Sequence, residues 1–112
     1  MIVIGTITFS EDLANDVAQC YATLPPVPDF ITTKGTYVYT HEGEDIRAFA
    51  IFSFDESRVD DAAEYMKIRY KAFSCVKGLS SKVEEWLDVQ DALKVVESGD
   101  YNLSALSTNK FL

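Results

Sequence analysis

The chain has 112 residues, which is the size of one domain with one hydrophobic core. Hydrophobic residues make up 47% and charged residues 25%, and these ordinary globular values exclude a disordered or fibrous class. The formal net charge of −8 argues against binding to nucleic acid or to an anionic membrane surface, because both depend on clustered Lys and Arg.

The N-terminal segment and the cysteines favour a cytoplasmic location. The apolar run at residues 1–5 has no basic segment ahead of it and is shorter than a signal-peptide core. No stretch reaches the roughly 18–20 apolar residues that span a bilayer. Cys20 and Cys75 are too few for a disulfide framework and lack the CxxC spacing, which fits a reducing compartment. We interpret Cys20 as an inert buried thiol on the core side of the first helix.

The first half of the chain predicts a strand, a helix and a hairpin. Residues 2–9 are β-branched and aromatic and are expected to form a central strand. Ser10 is placed to cap a helix whose apolar residues recur at helical spacing until two consecutive prolines end it. After a proline-rich connector, residues 36–41 and 46–54 have strand composition and flank a short acidic loop, which predicts a β-hairpin.

The second half predicts the longest helix, a fourth strand and a short third helix. Ser57 and Asp60 have the spacing of a capping box at the start of the long helix. Gly78 is placed to end that helix in the left-handed conformation. Residues 79–89 predict the fourth strand, and residues 90–98 predict a short helix that is followed by an apolar tail.

The order β-α-β-β-α-β with right-handed crossovers predicts a ferredoxin-like α+β fold. It should contain a four-stranded antiparallel sheet, with the first and third strands in the centre and both long helices on one face. We expect residues 1–112 to form a single domain with its core at residues 2–89 and a short C-terminal helix and tail at residues 90–112.

The strands are apolar on both sides of the predicted sheet. Val3 and Ile7 share one side of the first strand, while Ile2 and Ile4 lie on the other, and the third strand repeats this pattern. A half-solvated antiparallel sheet should have one polar side. The second side therefore needs a cover, and the simplest cover is a second copy of the chain that meets it sheet to sheet.

The long helix carries two apolar stripes, although a helix that covers a sheet needs only one. The predicted core stripe contains Val59, Ala62, Ala63, Met66, Tyr70 and Phe73. The second stripe contains Tyr65, Ile68, Ala72 and Cys75. Either the third helix with the apolar tail or another subunit would cover the second stripe, and the internal cover is the simpler interpretation.

The predicted element order resembles that of the ferredoxin-like dimeric α+β-barrel superfamily. The strand at residues 49–54, Phe-Ala-Ile-Phe-Ser-Phe, which leads into Asp-Glu-Ser and a long helix, adds to the resemblance. The resemblance covers about residues 2–89 and is closest to small branches of unassigned function, where a hairpin such as residues 35–41 precedes the third strand. It implies a homodimer whose two sheets enclose a central cavity. The superfamily includes small monooxygenases, isomerases and ligand-sensing modules, so the resemblance implies no single reaction.

Six residues are candidates for a site between paired sheets. Tyr37, Tyr39 and His41 share one side of the second strand, where an imidazole beside phenols offers general-base chemistry near neutral pH. The candidates for catalysis are His41 and Tyr39, and those for ligand binding are Tyr37, Arg47, Trp86 and Thr6. Each has a plainer interpretation as a solvated hairpin residue, a packing residue, an ion-pair partner of the hairpin carboxylates or an interface anchor.

No metal or cofactor is expected. His41 with Glu42, Glu44 and Asp45 supplies ligand-type side chains, but their spacing matches neither a calcium loop nor a zinc pattern. The five glycines form neither a GxGxxG motif nor a P-loop, and no nucleophile elbow is present.

Two functional hypotheses follow from the sequence. The first is a homodimer that binds a small organic molecule between its sheets, with cofactor-independent monooxygenase or isomerase chemistry as one form of it. The second is a non-enzymatic protein-interaction or ligand-sensing domain.

Overall fold

The structure is a computed structural model, and it describes residues 1–97. Its strands are β1 (Ile2–Phe9), β2 (Thr32–Tyr39), β3 (Ile46–Ser53) and β4 (Ser80–Trp86). Its helices are α1 (Ala14–Ala22), α2 (Val59–Lys71) and α3 (Val89–Glu97). Short 3-10 turns precede α1 and α2, and a third follows α2. The predicted apolar tail, and the prediction that it covers part of the long helix, lie outside the described residues.

The four strands form one antiparallel sheet in the order β2-β3-β1-β4. The prediction that the first and third strands are central is confirmed. Eight residue pairs join them, from Ile2 opposite Ser53 to Phe9 opposite Ile46. Residues 1–97 are thus an α+β structure with one four-stranded antiparallel sheet and three helices, which is compatible with a ferredoxin-like fold. None of the described helices is long and apolar enough to cross a bilayer.

Helices α1 and α2 and the proline-rich connector cover one side of the sheet. Alternate residues of β1 and β3 point into this side, and the central residues Val3 and Phe52 are fully buried. The buried side chains form two clusters at the two ends of the sheet, one around Phe52 and the other around Phe73. Tyr70 packs against both clusters. The side of the sheet that binds the helices is therefore the side that carries Val3.

Gly5 lies on β1 between the two clusters. A Cβ built on it would lie 1.8 Å from the hydroxyl oxygen of Tyr70 and 2.2 Å from Cζ of the same ring. The end of the ring therefore lies directly against the strand backbone, which only a residue without a side chain allows.

The helix starts differ from the predicted caps. The Ser10 hydroxyl donates to the carboxylate of Asp12 and does not cap the helix. At the second helix the capping oxygen belongs to Asp55, which accepts a hydrogen bond of 2.9 Å from the backbone N–H of Ser57. Several short polar residues in succession could cap this helix, and the extended backbone of Asp55 selects it. Gly78 has the predicted positive φ, at 93°, but α2 ends before it in a 3-10 turn.

The second apolar stripe of α2 also differs from the prediction. Tyr65 is buried in the core, and its hydroxyl donates to the Pro25 carbonyl at 3.1 Å, so the connector covers it. Ile68 and Cys75 are exposed within the described part of the chain. The core side of α2 also contains Arg69, which a purely apolar stripe does not include.

The two cysteines are close together. Their Sγ atoms lie 3.2 Å apart, where Cys20 on α1 meets Cys75 in the turn after α2. Cys20 packs against the core cluster around Phe73, as predicted, but it is partly exposed and not fully buried, and Cys75 is exposed. The hydrogen bond with Cys75 is the main cause of a raised pKa at Cys20, which keeps that residue a neutral thiol.

We expect Gly5→Ala to lower the free energy of unfolding by roughly 3 kcal/mol, because the added methyl group occupies the position of the Tyr70 hydroxyl. Urea unfolding measures the loss. Gly43→Ala is the control: it has open space around the added Cβ but a φ of 81°, so its cost should be only about 1 kcal/mol. The double variant Gly5→Ala/Tyr70→Leu should lose less free energy of unfolding than the two single variants lose together. Strictly additive losses would contradict a direct contact between the two residues.

We expect a disulfide reagent such as oxidised glutathione to convert Cys20 and Cys75 into an intramolecular disulfide, with release of two glutathione thiols. The bond closes a loop between residues 55 positions apart in the chain, so Tm should rise by about 5 °C or more. Intact mass and thiol titration should show loss of both free thiols in a monomeric species. Disulfide-linked dimers as the main product would contradict the proximity of the two Sγ atoms.

Candidate functional site

The side of the sheet opposite the helices has no cover among residues 1–97, and we call it the open face. The strand registers place four residues of each strand on this face, in four rows of directly opposed side chains. From one end of the sheet to the other, the rows are Thr32, Ser53, Ile2 and Trp86; Lys34, Ile51, Ile4 and Glu84; Tyr37, Phe49, Thr6 and Lys82; and Tyr39, Arg47, Thr8 and Ser80.

The open face is aliphatic in the centre and aromatic towards the β2 edge. Ile4 and Ile51 are half-buried side by side in the middle. The rings of Tyr37 and Phe49 pack at a centroid distance of 5.3 Å with an interplanar angle of 42°. Tyr37 is 51% exposed and Phe49 is 39% exposed. The face therefore presents aromatic surface to its surroundings, as its sequence pattern predicts.

Three of the predicted site residues meet at the hairpin corner of the open face, and Glu44 joins them. The Tyr39 hydroxyl donates to Glu44 Oε2 at 3.1 Å, and His41 Nδ1 lies 3.2 Å from the same oxygen. The Arg47 guanidinium carbon lies 4.3 Å from the centroid of the Tyr39 ring, in a cation-π contact. His41 and Glu44 are both well exposed. The corner is thus a polar, solvated cluster that orients an imidazole and a phenol through one carboxylate.

Of the three other predicted residues, Tyr37 packs against Phe49 as described above, and Thr6 and Trp86 lie away from this corner. Thr6 is in the centre, directly opposite Phe49. Trp86 is at the diagonally opposite corner, because the end of β4 pairs with the start of β1. There Trp86 lines a cleft of about 50 Å³ whose other residues include four acids, Glu56, Glu85, Asp88 and Asp91. Within residues 1–97 no group of three His, Cys, Asp or Glu side chains could hold a metal ion.

A second region, which the sequence analysis missed, lies on the helix side of the sheet. A cavity of about 20 Å³ is present there between the sheet, α1 and α2. Its wall includes Gly5, Tyr21, Thr36, Arg69, Tyr70 and Phe73. Arg69 is only 7% exposed.

The Arg69 side chain is held by tyrosines. Its Nη1 donates to the Tyr65 hydroxyl at 3.2 Å, and its guanidinium carbon lies 5.2 Å from the Phe52 ring centroid. Its buried Nε has no hydrogen-bond acceptor among residues 1–97, and none of the ion pairs between described residues includes it. The cation is therefore buried with one N–H group unpaired.

The charge states around the cavity follow from burial and hydrogen bonding. Burial acts to lower the pKa of Arg69, but the hydrogen bond to Tyr65 and the neighbouring tyrosine hydroxyls outweigh it and raise that pKa. Burial raises the pKa of Tyr70 above its ordinary value, although Arg69 acts in the opposite direction. At neutral pH the cavity is therefore lined by a cation and by neutral phenols that can donate hydrogen bonds.

A bulge in β2 brings a hydroxyl to the same cavity. The pairing of β2 with β3 shifts register between Lys34 and Tyr37, and Gly35 has a φ of 107°. Thr36 Oγ1 lies 3.0 Å from the Tyr21 hydroxyl of α1, on the helix side. Bulges of this kind often lie beside functional sites, where they redirect a side chain.

Two sequence signals could have located this cavity. Arg69 follows Tyr65 and Met66 at spacings of four and three, so it occupies a core position of α2 although it is charged. Gly5 interrupts an otherwise β-branched and aromatic strand, which indicates a close approach of another group.

Comparisons with known proteins do not identify the family of the chain. No protein-family model matches the sequence, and no curated protein matches it. Two solved structures align weakly: the aminopeptidase PepT from Bacillus cereus ATCC 10987, with 12% identity and a TM-score of 0.40, and a tripeptidase from Staphylococcus aureus subsp. aureus Mu50, with 14% identity and a TM-score of 0.41. The alignments cover 87% and 92% of this chain but 34% and 35% of those proteins, so the chain spans about a third of their length.

We expect the free energy of unfolding to fall as the pH rises past about 10, in part because of Tyr70. Its pKa is raised in the folded state, so the unfolded chain releases this proton at a lower pH than the folded one, and alkaline pH favours unfolding. Urea unfolding of the wild type and of Tyr70→Phe at pH 8 and at about pH 11 measures the difference. Between these two pH values the variant should lose less free energy of unfolding than the wild type. An equal loss in both proteins would contradict a raised pKa at Tyr70.

Proposed function

We propose that the chain is a homodimeric small-molecule-binding domain of the dimeric α+β-barrel kind, in which the open faces of two copies enclose an organic anion. The observation that supports this proposal is the open face itself. It combines exposed aromatic rings, a central aliphatic strip and basic side chains on the side of the sheet that residues 1–97 leave uncovered. Contiguous apolar surface of this kind is typical of an interaction site.

The area of the open face is too small for a stable dimer without a bound ligand. Four strands about 4.8 Å apart and rows about 6.8 Å apart give a face of roughly 500 Å². A stable interface buries about 800 Å² on each partner. Two open faces alone would therefore form a weak dimer, and a ligand that contacts both copies would add the missing interactions.

The charge of the open face supports an anionic ligand. The chain contains 18 acidic and 10 basic residues, yet the four rows contain one acid, Glu84, and three bases, Lys34, Arg47 and Lys82. The open face is thus the acid-poor side of an acidic protein, so two copies repel each other less here than through their other surfaces. The excess of bases remains unbalanced when two such faces meet, and an anion between them would balance it.

The open face also indicates what such a ligand would look like. The rings of Tyr37 and Phe49 would pack against an apolar or aromatic body, and Arg47 would bind a carboxylate through its fork of N–H groups. Thr6 lies beside Phe49 and offers a hydroxyl. Binding is preferred to monooxygenase or isomerase chemistry because the candidate base, His41, lies beyond the end of β2 with 67% of its side chain exposed.

The dimer can be tested by light scattering coupled to size exclusion, over a range of protein concentrations. We expect the wild type to dimerise and Phe49→Asp to remain a folded monomer with the far-UV circular dichroism spectrum of the wild type, because the added carboxylate would be buried at the interface. Ile68→Asp is the matched control: Ile68 is also an exposed apolar residue but lies on α2, away from the open face, so this variant should still dimerise.

The same experiment tests the ligand when an aromatic carboxylate such as benzoate is added at constant ionic strength. The dimer should be favoured, and the fluorescence of the single tryptophan, Trp86, should report binding. Arg47→Met should weaken binding about 10-fold or more, whereas Arg58→Met, which removes an exposed arginine paired with Asp61, should not. A dimer that is equally stable in Phe49→Asp, or a wild type that is monomeric with and without ligand, would overturn the proposal.

A further inference from the structure

We propose that Arg69 anchors a binding site for one small monovalent anion in the cavity on the helix side of the sheet. This site lies on the opposite side of the sheet from the open face, and it does not depend on the proposed dimer. The ligand class is a halide ion or the carboxylate of a molecule as small as formate.

The unbalanced charge of Arg69 is the first reason. Transfer of a guanidinium from water into a protein interior is costly unless the charge is paired and its N–H groups find acceptors. Arg69 is more than nine-tenths buried, and its Nε has no acceptor among residues 1–97. The described groups that act on its charge are tyrosine hydroxyls, which carry no negative charge at neutral pH. An anion beside Nε would supply both the acceptor and the countercharge.

The shape of the cavity is the second reason, and it limits the size of the ligand. Its volume of about 20 Å³ is slightly above the 10–15 Å³ that admits one water molecule. Gly5 contributes backbone only, because a Cβ there would overlap the Tyr70 ring. A single halide or the end of a short carboxylate fits this space, which is partly open to solvent.

Neutral donors around the cavity are the third reason. The raised pKa of Tyr70 keeps its hydroxyl protonated, and Thr36 and Tyr21 share one hydrogen bond, so one of their two protons remains to be donated. Together with the Nε–H group of Arg69 these groups form a donor-rich lining. No acidic residue lines this cavity among the described residues. Such a lining favours an anion over a cation or an apolar ligand.

The test is thermal unfolding at fixed pH and ionic strength, with sodium gluconate replaced stepwise by bromide, chloride or formate. Gluconate is too large to enter the cavity and serves as the reference anion. For a site with a Kd of about 10 mM, 150 mM of a binding anion should raise the Tm of the wild type by roughly 7 °C. A larger increase in Tm with bromide than with formate would indicate a halide site, and the reverse order would indicate a carboxylate site.

Variants separate this site from general salt effects. Arg69→Met should lose the anion-specific increase in Tm, whereas Arg58→Met, at an exposed arginine, should keep it. If Arg69→Met does not fold, Tyr70→Phe removes one donor, keeps the ring, and should reduce the increase. Ile51→Asp places a carboxylate on the open face at a residue that does not line the cavity. It should keep the full increase, so failure of the dimer proposal leaves this result interpretable.

A crystal soaked in bromide gives the decisive observation. An anomalous peak within about 3.5 Å of Arg69 Nε would support the proposal, as would a formate molecule refined at the same position. Equal Tm values in all salts, the same salt dependence in Arg69→Met, or a bromide map with no peak in the cavity would each overturn it.

Discussion

The contact of Tyr70 with the bare backbone of Gly5 determines how the helix layer lies on the sheet. Tyr70 belongs to both core clusters, so its ring joins the two ends of the hydrophobic interior at the middle of β1. Because Gly5 has no side chain, the ring reaches the strand itself, and α2 lies closer to the sheet than a larger residue would allow. This close approach also places the neighbouring Arg69 between α2 and the sheet, where it is screened from water.

The two faces of β1 therefore have different roles. On one side Val3 and Ile7 are buried beneath the helices in the two core clusters. On the other side Ile2 and Ile4 belong to the open face, together with the aromatic residues of β2 and β3. One strand thus supports both a closed interior and an uncovered surface. The proposed anion cavity belongs to the interior, whereas the proposed ligand belongs to the surface.

Much of the fold could be predicted from the sequence because its strands alternate clearly. The order of elements, the central position of the first and third strands and the apolar character of both sheet sides all follow from residue type and spacing. The caps could not be predicted with the same success, since Asp55 and Ser57 are both good capping residues and only the backbone conformation separates them.

Arg69 was missed because a charged residue at a core position contradicts the rule by which core stripes are recognised. Strand alternation indicates Tyr39 and His41, and the start of the third strand indicates Arg47, but the carboxylate of Glu44 that joins them depends on how the hairpin folds back.

The bulge at Gly35 and Thr36 also affects how the sheet can grow. β2 is an edge strand, and a regular edge offers unpaired N–H and C=O groups to a strand from another chain. The bulge interrupts that regular row, so an incoming strand could pair along only part of β2. At the other edge, β4 carries the charged residues Lys82, Glu84 and Glu85, which make addition of a further strand unfavourable. Both edges thus resist open-ended polymerisation, which leaves the open face for the proposed dimer, a contact between two copies that would end the assembly.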